Sequence, residues 1–175
     1  TEAQATPNGW TFTVPIEDKL SLGYLYNKDI TSKKEAMIDF MYRFGVERIE
    51  HVMHFDNYYS FNPFVGERTL LNGNQCAFIE PLEATATGLY HYITRVGFDR
   101  FIHNLSITEC LKLLHKEIYT IQNFILWHYK TGSKFNSPFW SYVKTLPFKP
   151  IKAPKKGEMY GQWHHKSFDI WENNT

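Results

Sequence analysis

The spacing of hydrophobic residues along the chain changes near residue 85. Before that point hydrophobic and polar residues alternate in short runs, which is the pattern of half-buried strands. After it hydrophobic residues recur every three or four positions, as on one face of a helix. The runs predicted to be strands are Trp10–Val14, Leu22–Tyr26, Ile49–Phe55, Thr69–Leu71 and Cys76–Ile79, and residues 1–8 are expected to be extended or loose. We therefore predict an α+β fold, with short antiparallel β segments in the first half and a mainly α-helical second half.

Two capping boxes predict where helices begin. Ser32 is followed three residues later by Glu35, and Ser106 by Glu109, so each pair can satisfy two free backbone N–H groups. Gly45 predicts the end of the first of these helices. After the second box, hydrophobic residues at alternating steps of four and three predict one long helix with a buried stripe. The stripe comprises Ile107, Leu111, Leu114, Ile118, Ile121, Ile125 and His128.

Two further helices are predicted from weaker signals. One starts after Glu83, and Gly97 predicts its end. The other starts at Ser137-Pro138, where a capping side chain precedes a proline suited to the first helical position, and runs to Leu146.

Composition limits the class of protein. A chain of 175 residues can form one domain with a real core, and 19 Lys plus Arg against 18 Asp plus Glu argue against a nucleic-acid-binding protein. No apolar run is long enough to span a membrane. Cys76 and Cys110 fit neither a zinc spacing nor a disulfide framework, so we expect a cytoplasmic protein. The aromatic content of 17% fits either a bulky core or aromatic walls around a planar ligand.

The stretch from Phe78 to Tyr90 joins a predicted strand to a predicted helix. Glu80 and Glu83 flank a proline there, and small residues and hydroxyls follow them. A helix beginning after Glu83 leaves free N–H groups near Thr85 and Ala86, and such a helix start can bind an anion. The alternative is an ordinary strand-to-helix junction in which the carboxylates only stabilise the helix dipole.

Three segments together resemble the flavin-dependent tryptophan halogenase family. Residues 80–85 read E-P-L-E-A-T and resemble the family's E-P-L-E-[SA]-T signature. Residues 9–15 read G-W-T-F-T-V-P and are similar to G-W-x-W-x-I-P. His128-Tyr129 and the N-S-P-F-W run at residues 136–140 are similar to the H-Y and D-T-P-F-W signature. The segments follow the family's order, and the resemblance covers about residues 9–171.

The resemblance implies an activity and its components. Reduced FAD, supplied by a flavin reductase, and oxygen would convert a halide ion to hypohalous acid, which halogenates an aromatic, tryptophan- or indole-like substrate. Glu83 would be the catalytic carboxylate, taking the proton from the halogenated ring or holding the active halogen. Thr85 and the N–H of Ala86 would bind the halide. Small-molecule substrate, reductase and a second copy in a homodimer are the expected partners, with no nucleic acid and no membrane.

The resemblance also implies residues close to the cofactor, namely Trp10, Phe12, Pro15 and Gly73. Phe12 stands where the family has a second tryptophan, and Ala84 where it often has a serine. These two departures keep open a non-catalytic helical module, or a degenerate relative that binds an aromatic ligand.

The family's G-x-G-x-x-G flavin loop has no counterpart in this sequence, nor does the lysine that would assist Glu83. We therefore expect the chain to be a C-terminal part of a longer enzyme and to be inactive alone. Residues 1–79 would be the β-rich part of its flavin and substrate domain, and residues 80–175 the helical substrate-side part.

Overall fold

The computed structural model describes residues 2–173, except for the side chains of Glu83 and of residues 170–173. The described part is α+β, which confirms the predicted fold class. Its elements in chain order are β1 Glu2–Thr6, β2 Gly9–Ile16, β3 Lys19–Tyr26, α1 Lys33–Phe44, β4 Tyr58–Tyr59, β5 Phe64–Val65, β6 Thr69–Leu70, β7 Ala77–Phe78, α2 Thr85–Phe101, α3 Ile107–Thr131, α4 Pro138–Thr145, β8 Met159–Tyr160, β9 Trp163–His164 and α5 His165–Asn173.

The described chain divides into two compact units. The first comprises residues 2–54 and 126–149 together with residue 173, and the second comprises residues 55–125 and 150–172. Each unit is therefore assembled from separate stretches of sequence, and α3 contributes residues to both.

A three-stranded antiparallel sheet, ordered β1-β2-β3, forms the first part of the first unit. The predicted strands Trp10–Val14 and Leu22–Tyr26 lie within β2 and β3, which pair as an antiparallel hairpin with Trp10 opposite Leu25. The expected extended or loose start of the chain is a regular strand, β1, in which Ala5 pairs with Trp10. The sequence of β1 has no strong hydrophobic alternation. The strand forms because its backbone pairs with β2 and because Thr6 at its end is buried.

Helix α1 has the boundaries that its caps predict. Ser32 N–H donates to Glu35 Oε2 at 2.9 Å, Glu35 N–H donates to Ser32 Oγ at 3.3 Å, and Gly45 ends the helix in a left-handed conformation. The helix is tied to the sheet by Tyr24, whose hydroxyl donates to Asp39 Oδ2 at 2.7 Å. The same hydroxyl accepts from Thr6 at 3.0 Å, so one side chain connects β1, β3 and α1.

The strand predicted at Ile49–Phe55 is wrong, because the structure has no strand there. Most of those side chains are exposed to solvent, including Val52 and Met53. Alternation of residue types produces a strand only where one face packs or the backbone finds a partner. Most of this segment faces solvent, although Phe55 at its end packs on Phe78 with ring centroids 5.0 Å apart.

The core of the first unit is an aromatic cluster drawn from β2, the end of α3 and α4. Trp10 packs edge-on against Tyr129 at 5.6 Å and against Trp140 at 5.5 Å between ring centroids. The Trp140 indole N–H donates to the Thr6 carbonyl oxygen at 2.7 Å. Two of the three family-like segments therefore meet in one core, with Ser137 capping α4 as predicted.

The second unit is built on α2 and most of α3, with three short antiparallel strand pairs. The long amphipathic helix is confirmed, and its stripe is buried from Leu114 onwards. The predicted end of α2 at Gly97 is wrong, since the helix continues to Phe101. Gly97 is a buried helical position against which Leu70 packs, and a β-carbon there would lie 3.2 Å from Leu70 Cδ2. Close packing accounts for this glycine within the helix.

Both cysteines, Cys76 and Cys110, are buried free thiols whose pKa is raised by burial. Within residues 2–173, every helix is too short or too polar to cross a membrane. Three metal-ligating side chains do not converge anywhere in the described part of the chain.

Candidate functional site

The central junction runs from β7 through a single 3-10 turn into α2. This turn spans Leu82–Ala84, and α2 begins at Thr85. The helix start after Glu83 is therefore where the sequence predicts it. Pro81 precedes the 3-10 turn, so the proline lies one short element ahead of the first α-helical position. The backbone of Glu83 lies in the turn, and its side chain is outside the described residues.

Glu80 is a structural carboxylate fixed from the neighbouring loop. Its side chain is 9% exposed, and Asn57 Nδ2 donates to its Oε2 at 3.4 Å. Its backbone N–H donates to Asn57 Oδ1 at 2.9 Å, so one asparagine side chain holds both groups. This double contact fixes where the chain enters the 3-10 turn.

Thr85 and Ala86 occupy the first turn of α2. Thr85 is fully buried, its N–H donates to the Leu82 carbonyl, and its hydroxyl donates to the Glu80 carbonyl at 3.5 Å. Ala86, the next residue, is half-buried. The first turn of a helix carries N–H groups beyond the reach of intrahelical acceptors and the positive end of the helix dipole. Because the Thr85 N–H and hydroxyl are already bonded to Leu82 and Glu80, an anion at this helix start would depend on the later N–H groups of the turn and on the helix dipole.

Ala84, the residue before the helix, has an unusual backbone. Its φ of 52° and ψ of 28° are left-handed, and α2 has no side-chain cap. A residue with a β-carbon pays about 1–2 kcal/mol for this conformation, whereas glycine does not. The strain lies directly between Glu83 and Thr85.

We expect Ala84→Gly to stabilise the protein by about 0.5–1 kcal/mol, the net of relieved strain and greater freedom of the unfolded chain. Ala86→Gly is the matched control, because the same substitution inside the first helical turn should destabilise. Urea unfolding followed by circular dichroism measures both variants. A destabilised Ala84→Gly variant would contradict the left-handed assignment.

Gly73 opens the 3-10 turn before β7 and has φ of 60°, which favours glycine. A β-carbon there would meet nothing within 4 Å, so its backbone borders open space. The neighbouring Asn72 Nδ2 donates to the Thr94 hydroxyl at 2.9 Å and to the Tyr90 carbonyl at 3.2 Å. The Tyr90 hydroxyl in turn donates to Asn74. The turn is thus attached to α2, the helix that begins at Thr85.

Trp10, Phe12 and Pro15 lie on β2 in the first unit, whereas Gly73, Glu83, Thr85 and Ala86 belong to the second. Trp10 is 1% exposed and packs inside the aromatic cluster, Phe12 is half-buried, and Pro15 is exposed. The proximity of Phe12, Pro15 and Gly73 to a cofactor stays a prediction. Trp10 contributes packing to the strand, and its proximity to a cofactor stays a prediction.

An open cleft of about 300 Å³ borders the first turns of α2. Sequence patterns alone did not reveal it, because its walls come from α2, α3 and the β8–β9 turn. The lining residues are Gly88, His91, Tyr92, Arg95, Glu117, Gly161 and Gln162. Burial raises the pKa of the Glu117 carboxyl, and burial together with the negative charge of Glu117 raises the pKa of Tyr92.

We expect Glu117→Gln to raise the melting temperature at pH 7 by roughly 1–3 °C. Burial raises the folded-state pKa of Glu117, so the ionised carboxylate destabilises the fold above that pKa and the neutral acid does not. The gain should therefore shrink as the pH falls through the folded-state pKa and vanish below the ordinary range of a glutamate. Thermal melts between pH 3.5 and 8 measure it.

Glu109→Gln on the same helix is the control of opposite sign. The capping hydrogen bonds from Ser106 lower the pKa of Glu109, so its charge stabilises the helix start at neutral pH. This variant should be less stable at pH 7, and the difference should disappear in acid. A gain for Glu117→Gln that did not depend on pH would contradict the desolvation argument.

The sequence and the fold of the chain are both similar to those of known tryptophan halogenases. The family model for tryptophan halogenase matches residues 1–174. Tryptophan 7-halogenase KtzQ of Kutzneria sp. (strain 744) is 23% identical over 206 aligned positions, and tryptophan 7-halogenase RebH of Lentzea aerocolonigenes is 25% identical over 201. Each alignment covers 100% of this chain but 37% of the relative. The chain thus spans little more than a third of these curated relatives.

Solved structures show the same fold. The thermophilic tryptophan halogenase described from Streptomycin violaceusniger superposes with a TM-score of 0.81 at 20% identity, over 96% of this chain and 37% of that one. A tryptophan halogenase from Shewanella frigidimarina NCIMB 400 gives a TM-score of 0.80 at 17% identity, over 98% and 37%. At identities of 17% and 20%, structural similarity establishes the fold, and the function has to be argued from the residues of the site.

Proposed function

Because the chain belongs to the tryptophan halogenase family, we propose that it supplies the halide- and substrate-side portion of a flavin-dependent halogenase. The reaction is halogenation of an aromatic, tryptophan- or indole-like substrate through hypohalous acid. The observation that carries the proposal is the start of α2, where Thr85 and Ala86 open the helix and only Ala84 separates them from Glu83. A helix N-terminus and a carboxylate-bearing turn are adjacent there, as halide binding and proton removal require.

In this proposal the halide lies against the first turn of α2, where Thr85 and the backbone N–H of Ala86 bind it. Positive partial charge at the helix start favours the anion without a full positive charge beside it. Glu83 acts on the aromatic substrate, taking the proton from the halogenated ring carbon or holding the active halogen. Either role needs an ionised carboxylate fixed in a site shielded from water.

FAD supplies, when bound, the oxidation of the halide to hypohalous acid by oxygen. Trp10, Phe12, Pro15 and Gly73 are the residues of this chain that we propose to lie near it. Gly73 borders open space and Phe12 offers an aromatic surface, so both suit a planar ring system. Trp10 holds the β2 strand in the aromatic core, and Phe12 lies two residues further along the same strand.

The proposal is tested by joining this chain to its flavin-binding part and supplying a flavin reductase, NADH, oxygen and bromide or chloride. Mass spectrometry of tryptophan, indole, phenol and pyrrole reactions should show a halogenated product that depends on the halide and on reduced flavin. A folded, flavin-binding preparation that binds these compounds without halogenating them would favour the alternative of a degenerate, non-catalytic relative.

The proposed partners are the aromatic substrate, a flavin reductase and a second copy of the chain. Large hydrophobic side chains are exposed in both units, for example Leu20 at 63% and Phe61 at 73%. Exposed apolar surface promotes association, so we expect concentration-dependent self-association in sedimentation experiments. A monomer at every concentration would exclude the homodimer.

A further inference from the structure

The β8–β9 hairpin carries Gln162 at its tip. The strands pair with Tyr160 opposite Trp163, so Gly161 and Gln162 form a two-residue turn. Gly161 has φ of 56°. A tight hairpin turn with a positive φ at its first central residue strongly favours glycine there. The sequence therefore specifies a sharp turn that projects the glutamine side chain.

Helix α3 fixes the position of this hairpin. Trp163 stacks on Phe124 with ring centroids 3.8 Å apart and planes 20° apart. Asn123 Nδ2 donates to the Tyr160 hydroxyl at 3.2 Å. A β-carbon on Gly161 would lie 2.8 Å from Thr120 Cγ2, so the turn lies directly on the helix. The backbone that carries Gln162 is thus held by contacts on both strands.

From this position the Gln162 side chain reaches the first turn of α2. Its Nε2 donates to the Thr85 carbonyl oxygen at 3.4 Å. Its Oε1 occupies the space that a β-carbon on Gly88 would fill, so the amide can lie there only because residue 88 is glycine. The contact spans 77 residues of sequence and involves the fully buried Thr85.

We propose that Gln162 is a positioning residue for the halide site. The inference rests on the proposed function, because it assigns the first turn of α2 the role given there. That turn follows the left-handed Ala84 and has no side-chain cap, so its local restraint comes from the bonds of Thr85 to Leu82 and Glu80. Gln162 supplies a restraint from outside the helix. It touches neither substrate nor cofactor in this scheme and acts by fixing the orientation of the N–H groups that hold the anion.

The first test measures halide dependence in the complete halogenating enzyme. Gln162→Ala should raise the halide KM about three- to tenfold, the worth of one neutral hydrogen bond. The KM for the aromatic substrate should stay within twofold. Gly88→Ala, which displaces the amide, should raise the halide KM by a similar factor, and the double variant should add little to either. Gln122→Ala on α3 is the matched glutamine control and should leave both KM values unchanged.

A halide KM within twofold of the parent for Gln162→Ala, in an enzyme that halogenates normally, would overturn the proposal while the proposed function stands. Failure of the parent to halogenate would overturn the proposed function instead. The Gln162 contact itself is decided separately by thermal melts. Alanine favours helices over glycine, so Gly88→Ala should raise the melting temperature in the Gln162→Ala background and fail to do so in the parent. Equal shifts in the two backgrounds would exclude the contact.

Discussion

Glu83→Gln should lower aromatic halogenation by roughly 10²–10⁴-fold, the usual worth of a positioned acid or base. The substitution removes the charge while keeping shape and most hydrogen-bonding capacity. Flavin oxidation and hypohalous acid formation should persist, because under the proposed function they occur at the cofactor. The measurement is halogenated product formed per flavin oxidised, in the enzyme completed with its flavin-binding part.

Glu80→Gln is the internal control, three residues away. Glu80 is held by Asn57 at the entry to the 3-10 turn, so neutralising it should reduce stability and leave the folded enzyme comparatively active. Melting curves of both variants separate unfolding from loss of chemistry. Product formation within a few-fold of the parent for Glu83→Gln would remove Glu83 from the catalytic role. The stretch would then be an ordinary strand-to-helix junction.

Trp10→Ala should cost about 3–5 kcal/mol of folding free energy, because truncating a large buried aromatic side chain leaves a cavity. Trp10 is 1% exposed and contacts Tyr129 and Trp140 edge-on, so its loss opens the centre of the first unit. A loss of this size is a large part of a domain's stability, and the variant is expected to unfold at low urea or to fold incompletely. Circular dichroism during urea titration measures it.

Phe12→Ala is the matched control on the same strand, two residues away. Phe12 is half-buried, so less apolar surface is lost and the cost should be less than half that of Trp10→Ala. Trp10→Phe provides an intermediate case that keeps most of the packing. Equal losses for Trp10→Ala and Phe12→Ala would contradict the burial difference between them.

Helix starts, helix period and the central junction could be predicted from sequence, because each depends on residues close together in the chain. Ser32 with Glu35 and Ser106 with Glu109 form the capping contacts that their spacing predicts. The α2 start after Glu83 follows equally from local signals.

Errors arose where a distant contact decided the outcome. The Gly97 position within α2 is explained by Leu70, and β1 is stabilised by its pairing with β2. Gln162 gave no signal in the candidate site because its partners, Thr85 and Gly88, are more than 70 residues earlier in the chain. The left-handed Ala84 also escaped prediction, since alanine carries no preference for that conformation.

The aromatic cluster has a consequence for the order in which the chain can fold during synthesis. The Thr6 carbonyl and the Trp140 indole are 134 residues apart in sequence, and the Ser137 hydroxyl reaches back 130 residues to Pro7. A ribosome must therefore reach α4 before the Trp140 partner of Trp10 exists, while residues 55–125 of the second unit are already complete. Loop-closure entropy makes such distant contacts late and slow. The nascent sheet would meanwhile expose the indole ring of Trp10. The exposed ring makes the sheet a binding target for a chaperone.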